Sequence, residues 1–129
     1  VMAMAALLAS AAVPALQGAL LKGRRPEAFH ALAALPLAQE RWRAEHRDYA
    51  ASLGDLGVPA QTPSGRYTLQ VLAADADGYT VQARATGAQQ RDTDCAMLRV
   101  VVAGGAMRAE AVGADGTGSE AQGRRCWLQ

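Results

Sequence analysis

The first 21 residues, VMAMAALLASAAVPALQGALL, contain no ionisable side chain, and no other feature limits the fold of this chain as strongly. Wound as an α-helix, they span about 30 Å, the thickness of a bilayer core. Lys22, Arg24 and Arg25 follow at once, as basic residues do at a cytoplasmic flank or a headgroup-level anchor. A secretory signal places its positive charge before the apolar run. That order argues for a retained anchor over a cleaved signal, although ASAAVPA offers small-residue cleavage sites. Pro14 removes one helix hydrogen bond and bends the rod, which a lipid-embedded helix tolerates.

After Lys22 the pattern turns amphipathic. Ala28, Leu32, Leu35, Gln39, Trp42 and Tyr49 recur near helical spacing, which predicts a helix over residues 27–50 continuous with the first. Pro26 suits the first turn of a restarted helix. Pro36 predicts a kink or break near Leu32–Leu35. Residues 51–65, ending in VPAQTPSG, read as a turn-rich connector. Beyond it the period changes to two. Tyr67, Leu69 and Val71 alternate with polar residues, and after the turn ADADG so do Tyr79, Val81, Ala83 and Ala85. AMLRVVV reads as a third strand, and Met107–Val112, after AGGA, as a weak fourth. Residues 113–129 are Gly-rich and polar and read as a loop.

These segments make two units: an apolar helix over 1–25 long enough to span a membrane, and a globular domain over 26–129 whose sheet occupies 66–112. The fold class is α+β, a long N-terminal helix, apolar then amphipathic, packed on an antiparallel meander of three to four strands. A core built from so few aromatics (5 %) is thin, and a covalent staple would strengthen it. Cys95 and Cys126 have no CxxC or Cys/His grouping, so they read either as a bridge worth about 3–4 kcal/mol or as two unrelated buried thiols.

Chemistry-bearing motifs are sparse. The net charge of +1, with acids interspersed, makes no composition-level case for nucleic-acid binding. His30 and His46 lack ligand spacing and read as solvated helix residues. Asp75, Asp77, Asp92 and Asp94 sit where turns favour Asp for its backbone hydrogen bonds. Gly104-Gly105 is a hairpin turn with no phosphate-cradle pattern, and Ser64 and Ser119 have no nearby His. The chain reads as a non-enzyme without a metal or cofactor motif.

In order and spacing, the apolar helix with Pro14, KGRRPEA, LPLAQERWRAEHRDYAASLGDLG, YTLQV, GYTVQARATGAQQRDTDC and the terminal CW resemble the type IV pilin family, most closely minor pilins of the PilE type. The resemblance covers nearly the whole chain. It implies a disulfide between Cys95 and Cys126 closing a C-terminal loop over 113–129, and it implies a structural subunit supporting pilus biogenesis, adhesion or motility. The implied partners are the inner membrane before assembly, other pilin subunits through the N-terminal helix, and the pilus assembly machinery. The implied location is the bacterial inner membrane, with the domain periplasmic, and then the extracellular fibre. Pro26 and Pro36 depart from the family pattern. So does the missing basic leader with its cleavage-site glycine, methylated phenylalanine and following glutamate. Aligning Pro14 with the family proline places Val1 inside the helix, so the sequence is expected to be a fragment that folds but does not polymerise normally. Two further readings accompany this one. Some pilins capture DNA, for which Arg91, Arg99, Arg108, Arg124 and Arg125 are candidates if folding gathers them. A pseudopilin of type II secretion is the other, and paired cysteines argue against it.

Overall fold

The computed structural model describes residues 2–128 and has the α+β arrangement of a long helix on an antiparallel sheet. Helix α1 (Met2–Arg43) runs unbroken through Pro14, Pro26 and Pro36, so the break expected near Leu32–Leu35 is absent. Leu32, Leu35 and Ala28 are fully sealed against the sheet. Burying two leucines contributes about 1.5–3 kcal/mol each, enough to offset the roughly 3 kcal/mol that an interior proline costs. By length and composition α1 can cross a membrane.

The helix stops at Arg43, short of the expected Ala50. A side chain decides the boundary: the buried Gln39 amide donates to the Ala50 carbonyl at 3.0 Å and accepts from the Ala50 N–H at 2.8 Å. Residues 44–49 therefore fold back in turns, and the Tyr49 N–H bonds the Asp75 carbonyl at 2.9 Å. Tyr49 meets Tyr79 edge-on at 5.0 Å. Its inward position thus comes from the reversal and not from helical periodicity. The connector holds one further turn of helix, α2 (Leu53–Leu56), between the Ser52 cap and Gly57 in the left-handed conformation.

Four strands follow in sequential order: β1 (Tyr67–Ala74), β2 (Gly78–Ala85), β3 (Met97–Ala103) and β4 (Ala106–Val112), all antiparallel. The fourth strand is as long as the third. Alternation sends Tyr67, Leu69, Val81, Ala83, Leu98 and Val100 toward α1, where they form the core. The polar partners in the alternation, among them Thr68, Gln82, Arg84 and Arg99, point to the other face. A Cβ at Gly78 would collide with the Val102 carbonyl oxygen, so β2 and β3 approach there only because residue 78 has no side chain.

Residues 113–129 are not all loop, as expected from their composition. Helix α3 (Glu120–Trp127) forms after the Ser119 hydroxyl accepts from the Gln122 N–H at 3.1 Å. The Ser-x-x-Gln spacing is a capping signature, outweighed in the sequence by the glycines around it.

Tyr67 and Tyr79 lie in the core between the sheet and α1, and burial pushes each phenol up to about 12. An unfolded tyrosine ionises near pH 10. Between those values the unfolded chain sheds protons that the folded chain keeps. Stability is therefore expected to be intact below about pH 10 and to fall as pH rises toward about 12. Urea midpoints measured across that window check this, and Tyr79→Phe should flatten the decline.

Candidate functional site

Three features of the molecule remain once the core is accounted for. The first is the front of α1. Met4, Leu7 and Leu8 are each more than 70 % exposed, and Val13, Leu16 and Leu20 about half. No described residue of this apolar stretch is buried by the chain itself, which leaves it for lipid or for another apolar surface.

The second is the collar where α1 enters the domain. Arg25 forms a two-point ion pair with Asp92, Nε to Oδ2 at 2.7 Å and Nη2 to Oδ1 at 2.8 Å. Their side chains are only 13 % and 9 % exposed. Gln89, buried in the 3-10 turn Gly87–Arg91, donates from Nε2 to the Leu21 carbonyl at 2.9 Å and to the Tyr67 hydroxyl at 3.0 Å. On the connector side, the Glu27 carboxylate accepts from the Ser64 N–H and hydroxyl, with Arg66 at 3.6 Å. Burial pushes the Glu27 carboxyl up, but hydrogen bonds from Ser64 and Thr62 and the Arg66 charge outweigh it and hold the group below its ordinary value.

The collar continues into a staple. Cys95, ending the 3-10 turn Thr93–Cys95, is bridged to Cys126 on α3, closing the pairing that the resemblance implies. Around the bridge, Gln122 donates to the Asp94 carbonyl at 2.6 Å and Trp127 donates to the Glu110 carbonyl at 2.8 Å. The Trp127 ring stacks on Phe29 of α1 at 4.7 Å. One short helix is thus tied to the sheet edge, to the 3-10 turns and to α1.

The third feature is the distribution of arginines. The five candidates named from the sequence do not form one patch. Arg99 and Arg108 share the face of the sheet opposite α1. Arg108 and Arg124 line a groove of about 840 Å³ between β4 and α3, where each has an acidic neighbour, Glu110 at 2.8 Å and Glu120 at 3.0 Å. Arg91 lies in the collar turn, and the Arg125 carbonyl is 3.5 Å from the Arg25 guanidinium. Sequence reading passed over Arg84, exposed on the same face as Arg99. The signal was present, because Thr80, Gln82 and Arg84 are the polar half of the β2 alternation. Asp75 serves the fold, since its Oδ1 accepts from the Asp77 and Gly78 N–H groups and closes the β1–β2 turn.

Compared with known proteins, the chain matches, over residues 14–99, a family described as type IV minor pilin ComP, DNA uptake sequence receptor. No curated protein matches it.

Proposed function

The chain belongs to this type IV minor pilin family, and we propose that it is a pilus subunit that captures duplex DNA. The family is structural, and the pilin-like fold with its apolar helix is compatible with membrane anchoring and with assembly alongside other pilus components. The observation that carries the assembly reading is the uncovered front of α1 projecting from a collared and stapled domain. In the inner membrane that front lies in lipid. In the fibre it trades lipid contacts for helix–helix contacts with other subunits, the domain facing outward. The single-pass topology, the assembly machinery as partner and the extracellular location belong to this proposal. The disulfide supports the pilin reading over the pseudopilin one.

DNA capture is supported by the matched family's description and by arginines on exposed surfaces. The test uses the full chain in uncharged detergent with a fluorescently labelled DNA duplex. Binding followed by anisotropy is expected to weaken steeply and log-linearly with salt, as counterion release requires. No binding, or binding indifferent to ionic strength, overturns the reading.

A further inference from the structure

We infer that the collar carries a ring of cations, Lys22, Arg24, Arg91 and Arg125, that grips anionic phospholipid headgroups where α1 leaves the bilayer. The inference rests on the membrane-anchoring reading above and names the lipid chemistry that the anchored domain selects.

The level of the ring follows from helix rise. The apolar front ends at Leu21, and Lys22 comes next. From Leu21 to Arg25 the helix climbs about 6 Å, which matches a headgroup layer about 5–7 Å deep on each side of the hydrocarbon core. Two attachments to the domain lie within that interval: the Gln89 amide on the Leu21 carbonyl, and the Asp92 carboxylate on the Arg25 guanidinium. Arg91 stands between Gln89 and Asp92 in the chain, so both attachments hold it at this level. The Arg125 carbonyl lies 3.5 Å from the Arg25 guanidinium, which brings the end of α3 to the same height. The fold thus delivers two cations from far along the chain to the edge of the apolar front.

Their placement encloses the stem. Lys22 and Arg24 leave the helix about 200° from one another, and Arg25 leaves it about 100° farther round. On the Arg25 side the domain supplies Arg91 and Arg125. Arg25 itself is neutralised by Asp92, so it drops out of the basic flank that the sequence suggests. Lys22, Arg91 and Arg125 are exposed and Arg24 is half-buried. None of the four has an ion-pair partner among the described residues. Nearby acids are engaged: Asp92 with Arg25, Glu27 with Ser64 and Arg66, and Asp115 with the Thr117 N–H and hydroxyl. Asp94, exposed beside them, offsets one charge and leaves the ring positive. Long basic side chains spread around a stem act on many headgroups at once, and each cation near an anionic surface adds attraction that fades within a Debye length. Zwitterionic headgroups carry no net charge and gain little. The chemistry selects anionic lipid.

The experiment introduces Leu20→Trp, in the exposed apolar front below the ring, and reconstitutes the full chain in vesicles of mixed phosphatidylcholine and phosphatidylglycerol. One lipid or the other carries brominated acyl chains, and the difference in quenching reads local enrichment. Trp42 and Trp127 belong to the domain and give a constant background. At 0.1 M salt the anionic lipid is expected to be enriched about fivefold around the introduced indole. At 1 M salt, where the Debye length is about 3 Å, the enrichment should vanish. Lys22→Gln/Arg24→Gln and Arg91→Gln/Arg125→Gln should each lower it to about twofold, and the four together should abolish it. A flank made by sequence neighbours alone leaves the Arg91→Gln/Arg125→Gln variant unchanged, and that result overturns the ring. Arg41→Gln/Arg47→Gln/Arg108→Gln removes charge away from the collar and should leave the enrichment intact; an equal loss there means that net charge acts and the ring does not. Inorganic phosphate in place of chloride at equal ionic strength should change nothing, whereas competition by it means a pocket for one anion and overturns the headgroup surface. Circular dichroism melts identify any variant that fails to fold, in which case the other pair variant carries the test. If both lipids quench the introduced indole equally, the ring is wrong while anchoring stands. If neither quenches it, both fall.

Discussion

Replacing Cys95 and Cys126 together with serine is expected to lower stability by about 3–4 kcal/mol, the loop-closure entropy of a bridge spanning 31 positions. For a small domain whose total stability is on the order of 5–15 kcal/mol, that is a large share. The loss should also have a place. With the bridge gone, α3 is held by the Trp127–Glu110 and Gln122–Asp94 hydrogen bonds and the stack on Phe29, each worth only about 1 kcal/mol. In a Trp42→Phe background, Trp127 is the reporter. Its emission should shift red before the sheet unfolds as urea rises, and in the bridged chain the two transitions should coincide. A variant as stable as the parent would mean that the staple is redundant with the packing around it.

Asp92→Ala is expected to cost about 2–4 kcal/mol, a little below the range for a fully buried pair because the site is slightly open. The loss arises less from the missing attraction than from the Arg25 guanidinium left without its carboxylate in a site only 13 % exposed. Asp92→Asn keeps an acceptor and should lose about half as much. Removing both partners, with Arg25→Met and Asp92→Leu, should recover most of the loss, since an apolar pair of similar size leaves no stranded charge. Denaturation midpoints of the three variants measure this, and amide exchange at Leu21–Glu27 should quicken in Asp92→Ala alone. Equal losses in Asp92→Ala and the double variant would show that the pair acts by shape and not by charge.

These two sites mark the limit of what the chain of letters discloses. Period-two alternation over Tyr67–Ala85 and Met97–Val112 specifies strands, and short turns such as ADADG and AGGA make neighbours of successive ones, so the meander was legible. The apolar helix with Pro14 was legible because length and composition alone define it. The end of α1 was not, because Gln39 and Ala50 are 11 positions apart and bond only after the chain has turned. The collar was hidden for the same reason: Arg25 and Asp92 are separated by 67 positions, and each alone looks like an ordinary solvated charge. Helix α3 was masked by glycines whose turn-forming signal outweighed one serine cap. The basic residues of the sheet face opposite α1 were half visible. Arg99 and Arg108 were named and Arg84 was not, because an arginine gains meaning only when the register shows what stands beside it.

A fibre is pulled as well as built, and the collar determines where tension enters the domain. A pull along the exposed front of α1 meets its first lateral attachments at Leu21 and Arg25, through Gln89 and Asp92. A few residues farther along the chain lies Cys95, a covalent tie to α3. The hydrogen bonds at the collar lie across the helix, so they are loaded side by side in shear, and not one after another like the teeth of a zip. Load that passes the collar divides between β3, which begins at Met97 just after Cys95, and α3 across the sulfur–sulfur bond. The staple thereby spreads strain from the stem over α3 and the β4 edge to which α3 is bonded, so that β3 does not carry it alone.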